Sequence, residues 1–333
     1  MIFLAIFFAL LIEQVRPLGA HSAPHQLARL WVAQVLRSCD AGSMGAARLA
    51  WALAVLLPAA LALLAHHLLQ AGGNWLAWAG LFALHVGVLY LTLGFRQFSA
   101  YFSSIRDALD AGDEDSARSI LANWVYITPS PQNQHGMARS DILRSVLAQA
   151  SLSAHIHVFG VIVAYSLGAL LGLGPAGAVA YRLCELLART CSHAEKNIPN
   201  PIADKHPISL PMRNLAKAAW HIFDWLPARC TAMLYAIVGN FEDAIANWRA
   251  QTQAAAAAPT PFENNPIVIS AAAGAIGVQM AAANEPADPT SAASSSDLNP
   301  PQLGHLQAMV GLVWRSVVVA MTLLALLTIA GTV

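Results

Sequence analysis

Charge is what this sequence has least of. Asp, Glu, Lys and Arg make up 11% of its 333 residues, against about 25% in an ordinary soluble domain. A deficit that large implies a membrane as part of the solvent. The deficit has no sign, because 18 basic residues face 18 acidic ones. With no basic excess and no long basic block, there is no electrostatic case for a nucleic-acid partner. Cysteine is also scarce: Cys39, Cys184, Cys191 and Cys230, with no Cys-x-x-Cys pair. Zinc spacing is absent, and so few cysteines in so long a chain argue against a disulfide framework. Cys184 and Cys191, seven apart, read as small buried apolar residues on one helix face. The chain lacks Gly-x-x-x-x-Gly-Lys-Ser/Thr, which leaves a P-loop ATPase unsupported. It lacks Gly-x-Ser-x-Gly, which leaves an α/β-hydrolase unsupported. There is no internal repeat and no alternating strand pattern.

What is present is long uncharged runs. From Leu49 to Phe95, 47 residues pass without a charged side chain, broken once at Gly72-Gly73-Asn74. A Gly-Gly-Asn break suits a turn, so two transmembrane helices are expected, near 47–69 and 75–95. A second run, Ser145 to Tyr181, is interrupted at Gly172-Leu-Gly-Pro175. Its first arm, about 153–171, is long enough to span. Its second, about 176–190, contains Arg182, Glu185 and Arg189, and reads either as a tilted return span or as an interfacial helix. The C-terminal run from Ser316 to Val333 is a further span, with Arg315 placed to snorkel. Met1 to Ile12 is apolar but carries no positive residue ahead of it and no cleavage site after it, so it is not a standard signal peptide. It is short of the roughly 20 residues a span needs. It reads as the buried half of a longer helix continuing past Glu13 and Arg16. Pro266 to Ala283 is rich in Ala and Gly, which favours close packing against other helices over bare lipid.

Arginine placement sets the expected orientation. Arg16, Arg29, Arg37 and Arg48 precede the first hairpin, Arg96, Arg106, Arg118, Arg139 and Arg144 follow it, and the hairpin tip has no Lys or Arg. Segments 13–48, 96–150 and 182–249 are therefore expected in the cytoplasm, and the 145–190 run must cross twice or re-enter. The polar parts read as helical. Phe98 to Leu109 is amphipathic, Gly112 fits a stop, and Asp113 or Asp115 fits a cap for a helix ending near Trp124. Residues 128–137, 197–211 and 284–302 read as loop or linker, and the alanines at 254–258 extend a helix begun near Phe241. The expected organisation is 1–95 as an N-terminal helix and first hairpin, 96–150 as a cytoplasmic helical segment, and 151–191 as a transmembrane or re-entrant pair. Then come 192–283 as a cytoplasmic or interfacial region, 284–304 as a flexible linker, and 305–333 as the last span. The fold class is all-α: a polytopic helical membrane protein with helical cytoplasmic segments.

Several constellations carry two readings each. Asp107, Asp110, Asp113, Glu114 and Asp115 are either caps and a solvated turn or a Mg²⁺ or Mg-nucleotide site. His66-His67 and His85 are either interhelical hydrogen bonds or a haem pair from two facing spans. His155 and His157 point about 200° apart on a helix and do not chelate one ion. Glu13 and Arg16, three apart, are either a helix-surface ion pair or part of a polar pocket. Asp224 and Arg229 flank Trp225-Leu226-Pro227. Pro227 suits the first turn of a helix, which makes Asp224 a cap, or makes Arg229 and the free N–H groups an anion-binding corner. No metal site is expected.

Asp224-Trp-Leu-Pro-Ala-Arg-Cys-Thr-Ala232, running into Leu234-Tyr-Ala-Ile-Val-Gly239, resembles the superfamily that holds the cobalamin-pathway synthase CobD/CbiB and its relative AmpE. Leu10-Leu-Ile-Glu-Gln-Val-Arg-Pro-Leu18, Leu323-Leu-Ala-Leu-Leu-Thr-Ile-Ala-Gly331 and the acid at 224 are similar to AmpE. Pro227-Ala-Arg-Cys-Thr-Ala232, and Asn264 followed by Ala271-Ala-Ala-Gly-Ala-Ile-Gly-Val278, are closer to the synthases. Those synthases join adenosylcobyric acid to an amino-propanol phosphate in an ATP-dependent amide ligation, which needs acids for Mg²⁺ and bases for phosphate. Where they carry an Arg-Asp-Thr loop step, this chain reads Thr128-Pro-Ser-Pro-Gln-Asn-Gln-His135. Where they carry Glu-x-x-x-Glu-Asn, it reads Gln149-Ala-Ser-Leu-Ser-Ala-His155. The family's Glu before Ala-Gly-Ala falls near Ile269, and its Asp before the Pro-Ala-Arg corner near Trp220 and His221.

The resemblance therefore implies an inner-membrane, multi-pass protein, either a degenerate AmpE-like binding or regulatory member or a working synthase. Mg²⁺ and ATP are implied only by the second. A transporter is less well supported, since no broken-helix pair is evident. The expected ligand-binding residues are Glu13, Arg16, Asp224, Arg229 and Asn264. The partners are the lipid bilayer and a corrinoid or other anionic small molecule, with homo-oligomerisation left open.

Overall fold

A computed structural model describes residues 1–16, 22–124, 138–195, 207–257, 264–280 and 298–330. These residues form helices and no named strand; the only pairing recorded among them is an isolated bridge between Val278 and Asn299. The chain is an all-α polytopic membrane protein. Four helices are long and apolar enough to cross a membrane: α3 (Met44–Ala71), α4 (Trp75–Thr92), α7 (Arg139–Leu170) and α12 (Leu303–Ile329). The others are α1 (Ile2–Val15), α2 (Ala23–Cys39), α5 (Phe95–Asp110), α6 (Glu114–Asn123), α8 (Ala176–Glu195), α9 (Leu210–Val238), α10 (Phe241–Ala257) and α11 (Asn265–Ile276). By internal contacts the chain divides into two units, one of residues 1–94, 160–227 and 327–333, the other of 95–159 and 228–326. This is a different kind of division from the membrane-side segments read from the sequence.

Within the first unit, the hairpin expected at Gly72-Gly73-Asn74 is present. Asn74 caps α4 by accepting from the Ala77 amide at 2.7 Å. Pro58 lies inside α3 and is preceded by a π-turn over Ala52–Leu56. A π-turn absorbs the hydrogen bond that a proline cannot donate. Helix α1 buries Ile2, Ala5, Ile6, Ala9 and Glu13, one helical stripe. It does not continue past Arg16, as the sequence suggested; it ends at Val15, and Arg16 is its C-cap at φ −131°. The Tyr90 hydroxyl donates to the Arg16 carbonyl at 2.7 Å and satisfies one of the groups a helix end leaves open. The core gathers Val32, Val35 and Leu36 of α2, Ala50 and Val55 of α3, Leu183, Cys184, Leu187 and Cys191 of α8, and Met212 of α9. Both cysteines expected to be buried are there.

Within the second unit, α5 turns its apolar side (Phe102, Ile105, Leu109) inward, and α6 adds Ala117 and Leu121. Gly112 sits at φ 77°, and Asp113 caps α6 by accepting from the Ser116 amide at 2.9 Å. Helix α7 begins at Arg139, well before the expected 153, and its 32 residues make a rod of about 48 Å. An 18-residue window of it is 94% buried, against 22–33% in the other three candidate spans. That window is covered by protein, whereas most residues in the windows of the other three are not buried. Helix α11 packs on α10, with Ile267 and Ala271 against Ala232 and Trp248. A Cβ at Gly274 would fall on the Asp243 carbonyl, so only glycine lets α11 seat that closely. The Ala-Gly-Ala segment thus has a packing reason, as its small residues suggested. The segment 128–137 and most of 197–211 and 284–302 lie outside the described residues.

Candidate functional site

Helix α9 corrects one reading of the sequence. Pro227 does not open a helix; it lies inside a continuous one, Leu210–Val238. Asp224 is consequently not an N-cap, and Arg229 has no free N–H groups of a helix start beside it. An internal proline is tolerated where neighbouring helices re-satisfy the backbone it frees, as happens in membrane proteins. The start of α9 is built elsewhere. The Ser209 hydroxyl accepts from the Met212 amide at 3.3 Å, and the Ser209 amide donates to Asp40 at 2.8 Å.

In the first unit Asp224 is fully buried and accepts a hydrogen bond from the Tyr181 hydroxyl of α8 at 2.9 Å. Tyr181 is itself fully buried, and the Trp220 ring lies 5.1 Å away, centroid to centroid. At Gly160 a Cβ would coincide with the Tyr181 hydroxyl, so the tyrosine reaches its acceptor only because residue 160 has no side chain. One turn along α8, Glu185 is 3% exposed and takes Arg182 at 3.2 Å and Arg189 at 3.3 Å. A buried carboxylate held by two guanidiniums is costly to break from either side. Burial, with Arg182, Arg29 and Arg189 in that order behind it, pulls His25 down to about 4.

Glu13 is 4% exposed, whereas Arg16 has left the helix and its side chain is exposed. The two do not share a helix face, because the backbone turns at Arg16. The histidine pair resolves toward interhelical bonding. His66 Nδ1 and His85 Nε2 lie 3.0 Å apart in direct contact, and His85 Nδ1 meets the Tyr165 hydroxyl at 2.7 Å. A haem iron does not fit between rings in that contact.

In the second unit Arg229, half-buried, donates to Asn264 Oδ1 at 3.4 Å, which joins two of the expected site residues. In the same unit α7 carries four buried polar residues that the sequence reading did not assemble. Gln149, Ser151, Ser153 and His155 are all fully buried. Gln149 Nε2 donates to Ser153 Oγ at 3.4 Å, while Gln149 Oε1 is buried without a hydrogen bond. His155 Nδ1 meets Thr231 Oγ1 at 2.8 Å, and the Tyr235 hydroxyl donates to the Ser151 carbonyl at 3.2 Å. Intramembrane polar groups are expensive and by default mark a functional site. The one-letter signal was available, four polar residues within one apolar run, but the four alternate faces, so periodicity alone did not group them. Within the acidic group at 107–115, Asp107 pairs with Arg106 at 2.8 Å, Asp113 is a cap, Glu114 and Asp115 hold Arg118, and Asp110 is exposed.

No family model matches this chain, and no solved structure does. Among curated proteins it is similar to the cobalamin biosynthesis protein CobD of Stutzerimonas stutzeri, 29% identical over 279 residues, which cover 80% of this chain and 77% of that one. It is likewise similar to the CobD of Chromobacterium violaceum, 29% identical over 197 residues. That match covers 59% of this chain, which spans about half (54%) of that relative's length. The similarity supports a CobD-like family. The polar residues of α7 and the Arg229–Asn264 pair are, with Asp224–Tyr181 and Glu185 in the first unit, places where polar chemistry enters an apolar protein.

Proposed function

We propose that this chain is an inner-membrane member of the CobD/CbiB–AmpE superfamily, degenerate and AmpE-like, acting as a binding or regulatory component connected with cobalamin biosynthesis. The observation that carries this reading is the buried run Gln149–His155 of α7, which holds no carboxylate. The synthases carry Glu-x-x-x-Glu-Asn at this step, and here Gln149, Ser151, Ser153 and His155 are fully buried and none of the run is an acid. Trp220, at a position where the family places an acid, packs on Tyr181. The bound species is an anion of the corrinoid pathway, and Arg229 with Asn264 is its polar contact.

The second reading is an adenosylcobinamide-phosphate synthase. The names of the two relatives favour it, as does the Arg229–Asn264 pair. It implies Mg²⁺ and ATP. Among the described residues no three carboxylate, imidazole or thiol side chains converge, and Asp107, Glu114 and Asp115 are engaged as above. Mg²⁺ takes only one or two carboxylates when a nucleotide's phosphates supply the rest, and the described residues single out no carboxylate for it.

The test is direct. Membranes carrying the protein are given adenosylcobyric acid, amino-propanol phosphate, ATP and Mg²⁺, and product is followed by chromatography beside an active relative. No product above the empty-membrane control is the expected result. Product would establish the synthase and overturn the degenerate reading.

A further inference from the structure

Helix α2 has an outward face that its own unit leaves uncovered. Its inner face enters the core with Val32, Val35 and Leu36. On the other side Leu27 and Leu30 are 65% and 63% exposed, and Trp31 is exposed beside them. At 100° per residue these three lie within a sector about 100° wide. Gln34 and Ser38 share that face and are bonded to each other at 3.3 Å, which lowers the cost of placing them next to apolar matter. The helix carries Arg29 and Arg37 and no acid in its 17 residues. Arg37 borders the apolar sector one turn and three residues on from Leu30.

Position then restricts what can cover this face. Only Asp40–Ser43 separate Cys39 from Met44, where the span α3 begins. Four residues reach at most about 14 Å. Asp40 is further fixed by accepting from the Ser209 amide at 2.8 Å. The C-terminal end of α2 is thus tied to the end of a membrane-crossing helix. The helix itself is too polar to cross, with His25, Gln26, Arg29, Gln34 and Arg37 along it.

We propose that α2 is an interfacial anchor. It lies along the bilayer surface with Leu27, Leu30 and Trp31 in the headgroup–acyl boundary, and Arg37, at the edge of that sector, faces anionic lipid headgroups. Tryptophan favours that depth, arginine stems reach from apolar matter to the headgroups, and charge of one sign beside an apolar stripe is the pattern of helices that lie in this plane. Close to an anionic surface each such arginine contributes about 1 kcal/mol of attraction.

Nitroxide labels test this in the full-length chain, reconstituted at low density in vesicles of phosphatidylcholine alone or mixed with phosphatidylglycerol. Labels go on Leu30→Cys and, separately, Leu27→Cys, with Cys39 and Cys230 changed to Ser; Asp110→Cys on the exposed side of α5 is the aqueous control. Collision with oxygen should exceed collision with a water-soluble nickel chelate at 27 and 30 several-fold, and the order should reverse at 110. The depth should fall within about 5–10 Å of the boundary. Adding Arg37→Gln should raise chelate access in the anionic vesicles and change little in the neutral ones. Chelate access at 27 and 30 equal to that at 110 overturns the anchor. Shielding from oxygen and chelate alike also overturns it, because the face would then be covered by a second copy or another protein. Equal depth in both lipids, unmoved by the arginine change, removes the role of anionic headgroups.

Discussion

The Tyr181 hydroxyl donates to Asp224 Oδ1 at 2.9 Å, with both side chains buried from solvent and Gly160 leaving the space in which the hydroxyl sits. A carboxylate taken out of water is tolerable only with such partners. Tyr181→Phe keeps the ring and removes the donor, so it should cost about 1–3 kcal/mol of stability. Thermal unfolding in detergent measures it; an unchanged midpoint would remove this bond from the interactions that hold α8 to α9.

Gly160→Ala should be at least as damaging. Its Cβ would occupy the position of the Tyr181 hydroxyl and press on the ring carbon behind it. Overpacking of this kind costs about 1–3 kcal/mol. Because both changes act on one hydrogen bond, the double variant with Tyr181→Phe should fall short of the sum. Strict additivity in the same unfolding measurement contradicts the shared mechanism.

Gln149 offers a test with the opposite sign. Its Oε1 is buried without a hydrogen bond. Exchanging a buried, half-satisfied amide for an apolar group of similar volume is often neutral or stabilising. Gln149→Met should therefore raise the unfolding midpoint or leave it unchanged. A clear drop would mean that the amide is satisfied in the working protein, by a ligand or by water.

Arg229 is the proposed contact for an anion, through charge-assisted hydrogen bonds worth about 1.5–3 kcal/mol. Arg229→Ala should weaken binding of amino-propanol phosphate or adenosylcobyric acid about 10–100-fold by calorimetric titration. Asn264→Ala should weaken it less, since Asn264 bonds the guanidinium only at 3.4 Å. Binding that survives Arg229→Ala unchanged ends the anion-contact role.

His25 sets a pH dependence. Burial first, then Arg182, Arg29 and Arg189, holds it at about 4 in the folded chain, below the 6.5 of an unhindered imidazole. The unfolded chain therefore binds the extra proton between those values. Stability is intact above 6.5 and is lost progressively as pH falls toward 4. The unfolding midpoint should fall between pH 7 and pH 5, and His25→Gln should flatten that part of the profile. An identical slope in the variant assigns the loss to other groups.

Much of the architecture was legible in the residues. The four spans announce themselves because a charged side chain or an unpaired backbone group in hydrocarbon costs several kcal/mol, so an uncharged run of helix length has one economical use. The Gly-Gly-Asn turn, the Asp113 cap and the buried cysteines follow from equally local rules. The site was only partly legible. Asp224, Arg229 and Glu13 were singled out as polar residues beside apolar runs and Asn264 by its resemblance to the synthases, and three of the four are buried. The His155–Thr231 bond was not foreseen, because residues 76 apart in sequence become partners only when their helices pack.

What the sequence by itself determined is the set of apolar rods and their breaks, since these depend on the transfer energy of each segment from water. What only the tertiary structure decided is which rods are sheathed by protein and which polar groups meet. It buried the middle of α7, carried α9 through Pro227 where local rules start a helix, and turned Arg16 away from Glu13. The reason is physical: within lipid, an unsatisfied polar group or a helix-breaking proline is stabilised by whichever neighbour supplies its partner, and the identity of that neighbour is a property of the packed fold.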